Sequence, residues 1–288
     1  MSAIQPGEIV TLSPRVRRLT ANNPGPLTGP GTNTYLLGKE KIVVLDPGPD
    51  EADHISAILR ACGGKIHCIV VTHTHDDHSP AAKVLADSTG APVFGCTYHD
   101  DGYQDPTFHA DQEIQHGQVI STDELALEAI HTPGHVGNHF CLLLKEEGML
   151  FTGDHIMEGS TVVIIPPSGD MGDYLASLRL LKQYPIRTMA PGHGRQILNP
   201  VDYVDYLIQH RLKREQKVVE GLRRAAGPVA IPALTPVVYD DVDPAMHGIA
   251  SISLWAHLLK LEKEGRARRI PATPANGDFN LDSWQLLP

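Results

Sequence analysis

Apolar residues recur along this chain with two different periods. Lys41-Ile42-Val43-Val44-Leu45-Asp46 is a continuous apolar run closed by Pro47-Gly48-Pro49, which reads as a buried strand. Residues 53–62 then set Ile55, Ile58, Leu59 and Cys62 on one helical face, and Cys68-Ile69-Val70-Val71-Thr72 supplies the next strand. Strand, helix and strand in that order predict a parallel pair with a right-handed connection and a functional loop at its carboxyl end. Ser79-Pro80 has the form of an N-cap followed by proline at the first helical position and predicts a helix through about Ala86. Short strands and helices are expected to alternate to about residue 198. Among them are a helix marked by Tyr174, Leu175, Leu178 and Leu181 and a strand from Ile186 to Met189.

From Val201 the texture changes. A long helix is predicted to about Ala226, after which Pro228, Pro232 and Pro236 should break the chain. Pro244 to Gly265 reads as an amphipathic helix with Ile252, Trp255 and Leu259 inward. Arg266 to Ile270 and Phe279 to Leu281 suggest a hairpin whose tip is Pro271 to Asp278. Two domains are therefore expected, residues 1–200 and 201–288.

Composition narrows the class. The chain has 288 residues, 41% hydrophobic and 20% charged, which suits globular folding and argues against large-scale disorder. No apolar run approaches the roughly 18–20 residues that cross a bilayer, so no membrane association is expected. The start Met1-Ser2-Ala3-Ile4-Gln5-Pro6-Gly7-Glu8 lacks a basic head before an apolar stretch, and a cytoplasmic location is expected. Cys62, Cys68, Cys96 and Cys141 are widely spaced and read as reduced thiols. Of 24 Lys+Arg and 34 Asp+Glu, residues 201–288 hold 11 of each, leaving 13 against 23 in residues 1–200. The whole net charge of −10 thus falls in the first part, where an anionic polymer meets repulsion.

The run His73-Thr74-His75-Asp76-Asp77-His78, directly after a strand, concentrates imidazoles and carboxylates on one short loop. Alternate residues of an extended segment point the same way, so His73 and His75 can grip one ion, and Asp77 and His78 can face a second. This donor set suits zinc, iron or manganese. His135 in His131-Thr132-Pro133-Gly134-His135, Asp154 in Thr152-Gly153-Asp154-His155 and His193 in Pro191-Gly192-His193-Gly194 each follow a short apolar stretch. In two of them Pro-Gly precedes the ligand and lets the backbone pass close to an ion.

His73-x-His75-x-Asp77-His78 with later His135, Asp154 and His193 resembles the metallo-beta-lactamase superfamily. The resemblance implies an α+β fold, a four-layer αβ/βα sandwich. It also implies His73, His75 and His135 on one metal, Asp77, His78 and His193 on the other, and Asp154 bridging. Asn23-Pro24, Gly31-Thr32-Asn33-Thr34-Tyr35-Leu36, Gly153-Asp154-His155-Ile156-Met157 and His210-Arg211 with Arg214-Glu215-Gln216 are similar to the beta-lactamase-like protein two branch. Members of that branch carry a C-terminal winged helix, and its animal member cleaves single-stranded RNA. Where the animal pattern has Thr-Asp-Asp-His after the residue matching His135, this chain has Val136-Gly137-Asn138-His139.

Two divalent ions, zinc first with manganese or iron as alternatives, would make water the nucleophile as a metal-bridging hydroxide. Asp77 is expected to take its proton, and His155 to orient a ligand or protonate a leaving group, with His131 and His139 as further candidates. Tyr35 reads as a packing residue. Arg211, Lys213, Arg214, Lys217, Arg223 and Arg224 form the one basic run, read as a solvated helix surface that could guide phosphates. The acidic catalytic part favours a small acyl partner, an ester, thioester or lactone. Single-stranded RNA as substrate and a mononuclear iron dioxygenase are the alternatives, and the sequence leaves the oligomeric state open.

Overall fold

Seven strands hydrogen-bond in chain order into the first sheet of the computed structural model, which describes residues 4–97, 102, 104–272 and 278–288. They are β1 (Ile9–Thr11), β2 (Val16–Thr20), β3 (Asn33–Leu37), β4 (Ile42–Leu45), β5 (Ile66–Val70), β6 (Val93–Gly95) and β7 (Gln112–Glu113). Pairing is antiparallel as far as β4 and parallel beyond it. Helix α1 (Ala52–Cys62) links the parallel pair β4 and β5, as the strand, helix, strand pattern predicts, and α2 (Pro80–Thr89) follows the His73 loop.

The continuous apolar runs arise because both faces of this sheet are covered. Val43, Leu45, Cys68 and Val70 enter one core cluster, whereas Ile42, Val44 and Ile69 enter another with Ile55, Ile58 and Leu85 of the helices. Removing each such Leu or Ile from water contributes about 1.5–3 kcal/mol. The first cluster is shared with a five-stranded sheet ordered β12-β11-β10-β9-β8, through Leu127, Ala129, Leu142 and Phe151. Its strands are β8 (Val119–Ser121), β9 (Ala126–His131), β10 (Phe140–Leu144), β11 (Met149–Gly153) and β12 (Thr188–Pro191).

The expected alternation of strands and helices fails here. From β8 to β11 the strands form an antiparallel meander with no helix among the described residues. Ser79 is a second correction. It gives α2 no side-chain cap, because its hydroxyl is turned to the Asp105 carboxylate at 2.8 Å.

The chain divides into two compact units. One comprises Met1–Pro133, Gly137–Val162 and Leu180–Val201, and the other Gly134–Val136, Val163–Arg179 and Asp202–Pro288. The remaining helices are α3 (Met171–Leu181), α4 (Pro200–Ala225), α5 (Ile231–Val238) and α6 (His247–Lys263). In the second unit a three-stranded sheet is ordered β13 (Val229–Ala230), β15 (Ser283–Leu286) and β14 (Ala267–Ile270).

Three expectations are corrected in the second unit. The proline-rich stretch forms α5, with Pro232 in the first turn, where its missing N–H costs nothing. Helix α6 centres its buried face beside the expected one, with Trp255 and Leu259 half-buried at the edge of the core. Ala250, Leu254, Leu258 and Leu261 point into a core around Trp284, while Trp255 stacks on Phe279 with ring centroids 4.4 Å apart. The return strand of the hairpin is Ser283–Leu286 instead of residues 279–281, and residues 273–277 of its tip lie outside the described residues. No helix among the described residues is long and apolar enough to cross a membrane.

Candidate metal centre

The loop after β5 turns sharply so that His73, Asp77 and His78 share one end of the sheet. Asp46, just beyond β4, is the hinge of this arrangement. Its carboxylate accepts the Thr72 backbone N–H at 2.7 Å and the Thr72 hydroxyl at 2.9 Å, and its Oδ2 lies 3.1 Å from His78 Nδ1. Asp46 adopts φ +48°, a conformation that Asp tolerates better than most residues. With Nδ1 so engaged, His78 directs Nε2 at the other ligands.

Four donor atoms meet there. His78 Nε2 is 3.5 Å from Asp77 Oδ2 and 3.3 Å from Asp154 Oδ1, and His193 Nε2 is 3.1 and 3.2 Å from the same two oxygens. The two imidazole nitrogens are 3.4 Å apart. A tetrahedron of donors ~2.0–2.1 Å from a zinc ion has edges of about 3.4 Å, close to these five separations, so this donor set suits a divalent cation. His73, His75 and His135 form a second trio, whose ligand atoms lie within 4.8 Å of one another. Rings of His73 and His78, one from each group, have centroids 4.3 Å apart. Every sequence-predicted ligand is thus in one of two groups, with Asp154 in the group of Asp77, His78 and His193.

His73 and His135 are held from behind. Thr72 Oγ1 lies 3.0 Å from His73 Nδ1, and the Val163 carbonyl lies 2.7 Å from His135 Nδ1, so both rings are oriented by their outer nitrogen. The His135 turn needs its glycine. Gly134 has φ +139°, and a Cβ there would lie 2.3 Å from the Tyr174 Cα. Gly192 lets the backbone pass close to two ligands: a Cβ would lie 2.7 Å from both Asp154 Oδ1 and His78 Cε1. His139 accepts the Asp154 backbone N–H at 3.2 Å through Nε2, while Thr132 Oγ1 sits 2.9 Å from its Nδ1.

Charge is strongly perturbed in this cluster. Burial opposes a charge on His193, but the Asp154 carboxylate outweighs it and lifts the imidazole to about 9. Burial likewise disfavours charged His78, and Asp77 and Asp154 raise it well above its ordinary value. Asp154 and Asp77 are pushed up by burial, yet His193 and His78 hold both below the usual carboxylate range. His73 is driven well below its ordinary value by burial and by His78 and His75. Neutral imidazole and ionised carboxylate are the ligand forms, so cation binding here releases protons.

Sequence reasoning missed the cradle of the His193 loop. The Asn33 amide donates to the carbonyls of Pro191 (3.0 Å) and Gly194 (2.9 Å), its backbone N–H donates to Gly192, and Tyr35 Oη donates to Pro191 at 2.7 Å. Tyr35 therefore does more than pack. Asn23 fixes Thr32, whose hydroxyl lies 3.5 Å from Asp77 Oδ2. The recurrence of Thr and Asn in a strand, where apolar residues are the rule, was the available signal.

His155 is fully buried with its ring 5.8 Å from that of His139, so it stands behind the ligands and presents nothing to a substrate. Its expected role as a leaving-group acid is not supported by that position. In the basic run on α4, Lys213, Arg223 and Arg224 are exposed as expected, and Arg211 and Arg214 are the correction. Arg214 is buried, its guanidinium 4.2 Å over the Tyr239 ring and paired with Asp241 at 2.7 Å, and Arg211 is buried over the Tyr174 ring at 5.2 Å.

Residues 27–193 match the metallo-beta-lactamase superfamily model. This chain belongs to the metallo-beta-lactamase superfamily. Residues 230–277 match the beta-lactamase associated winged helix domain, a span that includes α5, α6 and β14. A beta-lactamase-like protein 2 homolog of Caenorhabditis elegans is 35% identical over 89% of this chain and 87% of its own length. An atrochrysone carboxyl ACP thioesterase of Aspergillus chevalieri is 34% identical over 76% of this chain and 69% of its own. A solved metallo-beta-lactamase family protein from Thermus thermophilus superposes with TM-score 0.76 at 20% identity, covering 96% of this chain and all of the other, a likeness of fold. Family and donor cluster together make this metallo-beta-lactamase superfamily protein a metal-dependent hydrolase.

Proposed function

We propose that the chain is a dinuclear metal-dependent hydrolase that attacks a small ester, thioester or lactone with water. The observation that carries this reading is the spacing of Asp77, His78, Asp154 and His193, 3.1–3.5 Å between donors from three separate loops. His73, His75 and His135 would hold one cation, and Asp77, His78, Asp154 and His193 would hold the other. Zinc is the first choice, since imidazole and carboxylate in tetrahedral spacing suit it. Two such ions supply Lewis acidity, bringing the pKa of water from about 15.7 toward ~7 and polarising a carbonyl oxygen.

The chain's own residues do the rest. The Asp77 side chain is 21% exposed whereas those of His78 and His193 are at most 4%, so Asp77 is the group of its set that incoming water reaches. Ionised and steadied by Thr32, it takes the proton of the attacking water and returns it to the leaving group. Asp46, Thr72 and His139 keep the ligands in register, and His155 backs them.

An acyl substrate is favoured over RNA by charge. The net −10 falls in residues 1–200, and two of the α4 arginines, Arg211 and Arg214, are turned inward against Asp241 and aromatic rings. On the winged helix, Arg266 faces Glu215 and Glu264, Arg269 faces Asp282 and Arg268 faces Gln285. The thioesterase relative supports the acyl class by its printed name. The test is a panel of an acyl thioester, a lactone, a nitrophenyl ester and a fluorescent RNA oligomer under one zinc condition, with Asp154→Ala as control. Turnover of an acyl substrate that the variant abolishes is expected. RNA cleavage alone, or oxygen consumption by protein carrying one iron, would overturn the reading.

A further inference from the structure

At the end of the strands away from the metal ligands lies a groove of about 640 Å³. Asp46 and the His73 loop follow the carboxyl ends of β4 and β5, whereas the groove is lined from the starts of β2 and β4, the β3–β4 turn and the end of α1. Four to five residues of strand at about 3.3 Å each separate the two ends by about 15 Å. The groove is therefore no extension of the metal centre.

Its lining is cationic in a part of the chain that is otherwise acidic. Arg15, Arg17, Lys39, Arg60 and Lys65 face Glu40 as the one acidic lining residue. Glu40 is taken by Lys65 at 2.9 Å, and Arg17 donates to the Ala61 carbonyl at 3.0 Å. The acids at the rim are engaged as well. Asp123 pairs with Lys41, and the Glu124 carboxylate accepts the backbone N–H groups of Lys39, Glu40 and Lys41. Among the described residues the Lys39 and Arg60 side chains meet no hydrogen-bond or ion-pair partner, and both are exposed. Arg60 also complements the carboxyl end of α1, which explains one cation and not five from four elements.

We propose that this groove binds a small oligophosphate anion. Guanidinium groups offer paired N–H donors to phosphate oxygens, and the lysines add compact charge. Among the described residues no aromatic side chain lines the groove, so they offer no platform for a base and read phosphate charge instead of a nucleic-acid strand. The site supplies anchoring or regulation by an anion, separately from hydrolysis.

The experiment is calorimetric titration of zinc-loaded full-length protein with sodium pyrophosphate, and in parallel with oligouridine RNA. Saturable pyrophosphate binding that weakens with salt is expected, reduced about tenfold or more in Lys39→Glu/Arg60→Glu with ester turnover unchanged. Lys39→Gln/Arg60→Gln, read the same way and with a far-ultraviolet melting curve, serves if charge reversal harms folding. Absence of saturable binding, binding undiminished in the variants, or groove-dependent binding of oligouridine stronger than pyrophosphate would each overturn the proposal.

Discussion

Two buried clusters of charge in this molecule are built on opposite plans. Around Arg214 the guanidinium is matched within the chain, by Asp241 at 2.7 Å, the Val238 carbonyl at 2.6 Å and the Tyr239 ring. Around Asp154 two carboxylates and two imidazoles share one point at 3.1–3.5 Å, each already steadied from outside by Asp46, Thr32, Gly31 or His139. The first is matched within the second unit. The second satisfies its outer atoms and aims its inner ones at a common centre, which is how a metal site differs from an ion-pair network.

Variants sharpen that difference. Asp154→Ala should remove metal from the site and lower turnover on the order of a thousandfold, with metal content and initial rate as the readouts. Retained metal and retained rate would place the chemistry elsewhere. Asp46→Asn keeps the backbone conformation but removes the charge behind His78, and should weaken zinc affinity about 10–100-fold in a competition titration with a chelator. Equal affinity would mean that His78 needs no orienting partner. Arg214→Ala should cost about 1–2 kcal/mol of unfolding free energy while metal content and ester turnover stay as they are. A loss of metal in that variant would erase the contrast between the clusters.

The smallest effect concerns His54, buried beside Thr34 Oγ1 at 2.8 Å, where desolvation lowers its pKa to about 4. The unfolded chain takes up that proton near pH 6.5 and the folded chain only near 4. Stability is therefore lost as pH falls through this window and levels off below it. His54→Gln should flatten the slope, narrowing the gap between pH 7 and pH 5.5 by about 1 kcal/mol in urea titrations. Identical slopes would contradict the neutral assignment.

The candidate metal ligands were legible as a group because chemistry restricts such donors to few residue types and the loops that carry them follow apolar strands. Their supports were hidden. Asp46 reads as a strand end, and Asn33 and Tyr35 act on Pro191 and Gly194, more than 150 positions away, so no local pattern connects them. The parallel β4-α1-β5 core was readable from its continuous apolar runs, since both sheet faces are buried. The β8–β11 meander was not, because buried antiparallel strands and helices both appear as short apolar runs. On α6 the sequence offers apolar residues nearly all round, and only the position of Trp284 decides that Leu254 and Leu258 turn inward. Arg211 and Arg214 looked like a solvated face because charge alone does not reveal that Asp241 and Tyr239 come to meet them.

The most direct test of the central claim is a calorimetric zinc titration of chelator-stripped wild-type protein beside His193→Ala. Two zinc ions per wild-type chain and loss of one in the variant, with protons released on binding, are expected from the four-donor cluster. Two ions bound with unchanged affinity in His193→Ala would show that Asp77, His78, Asp154 and His193 do not form a metal site.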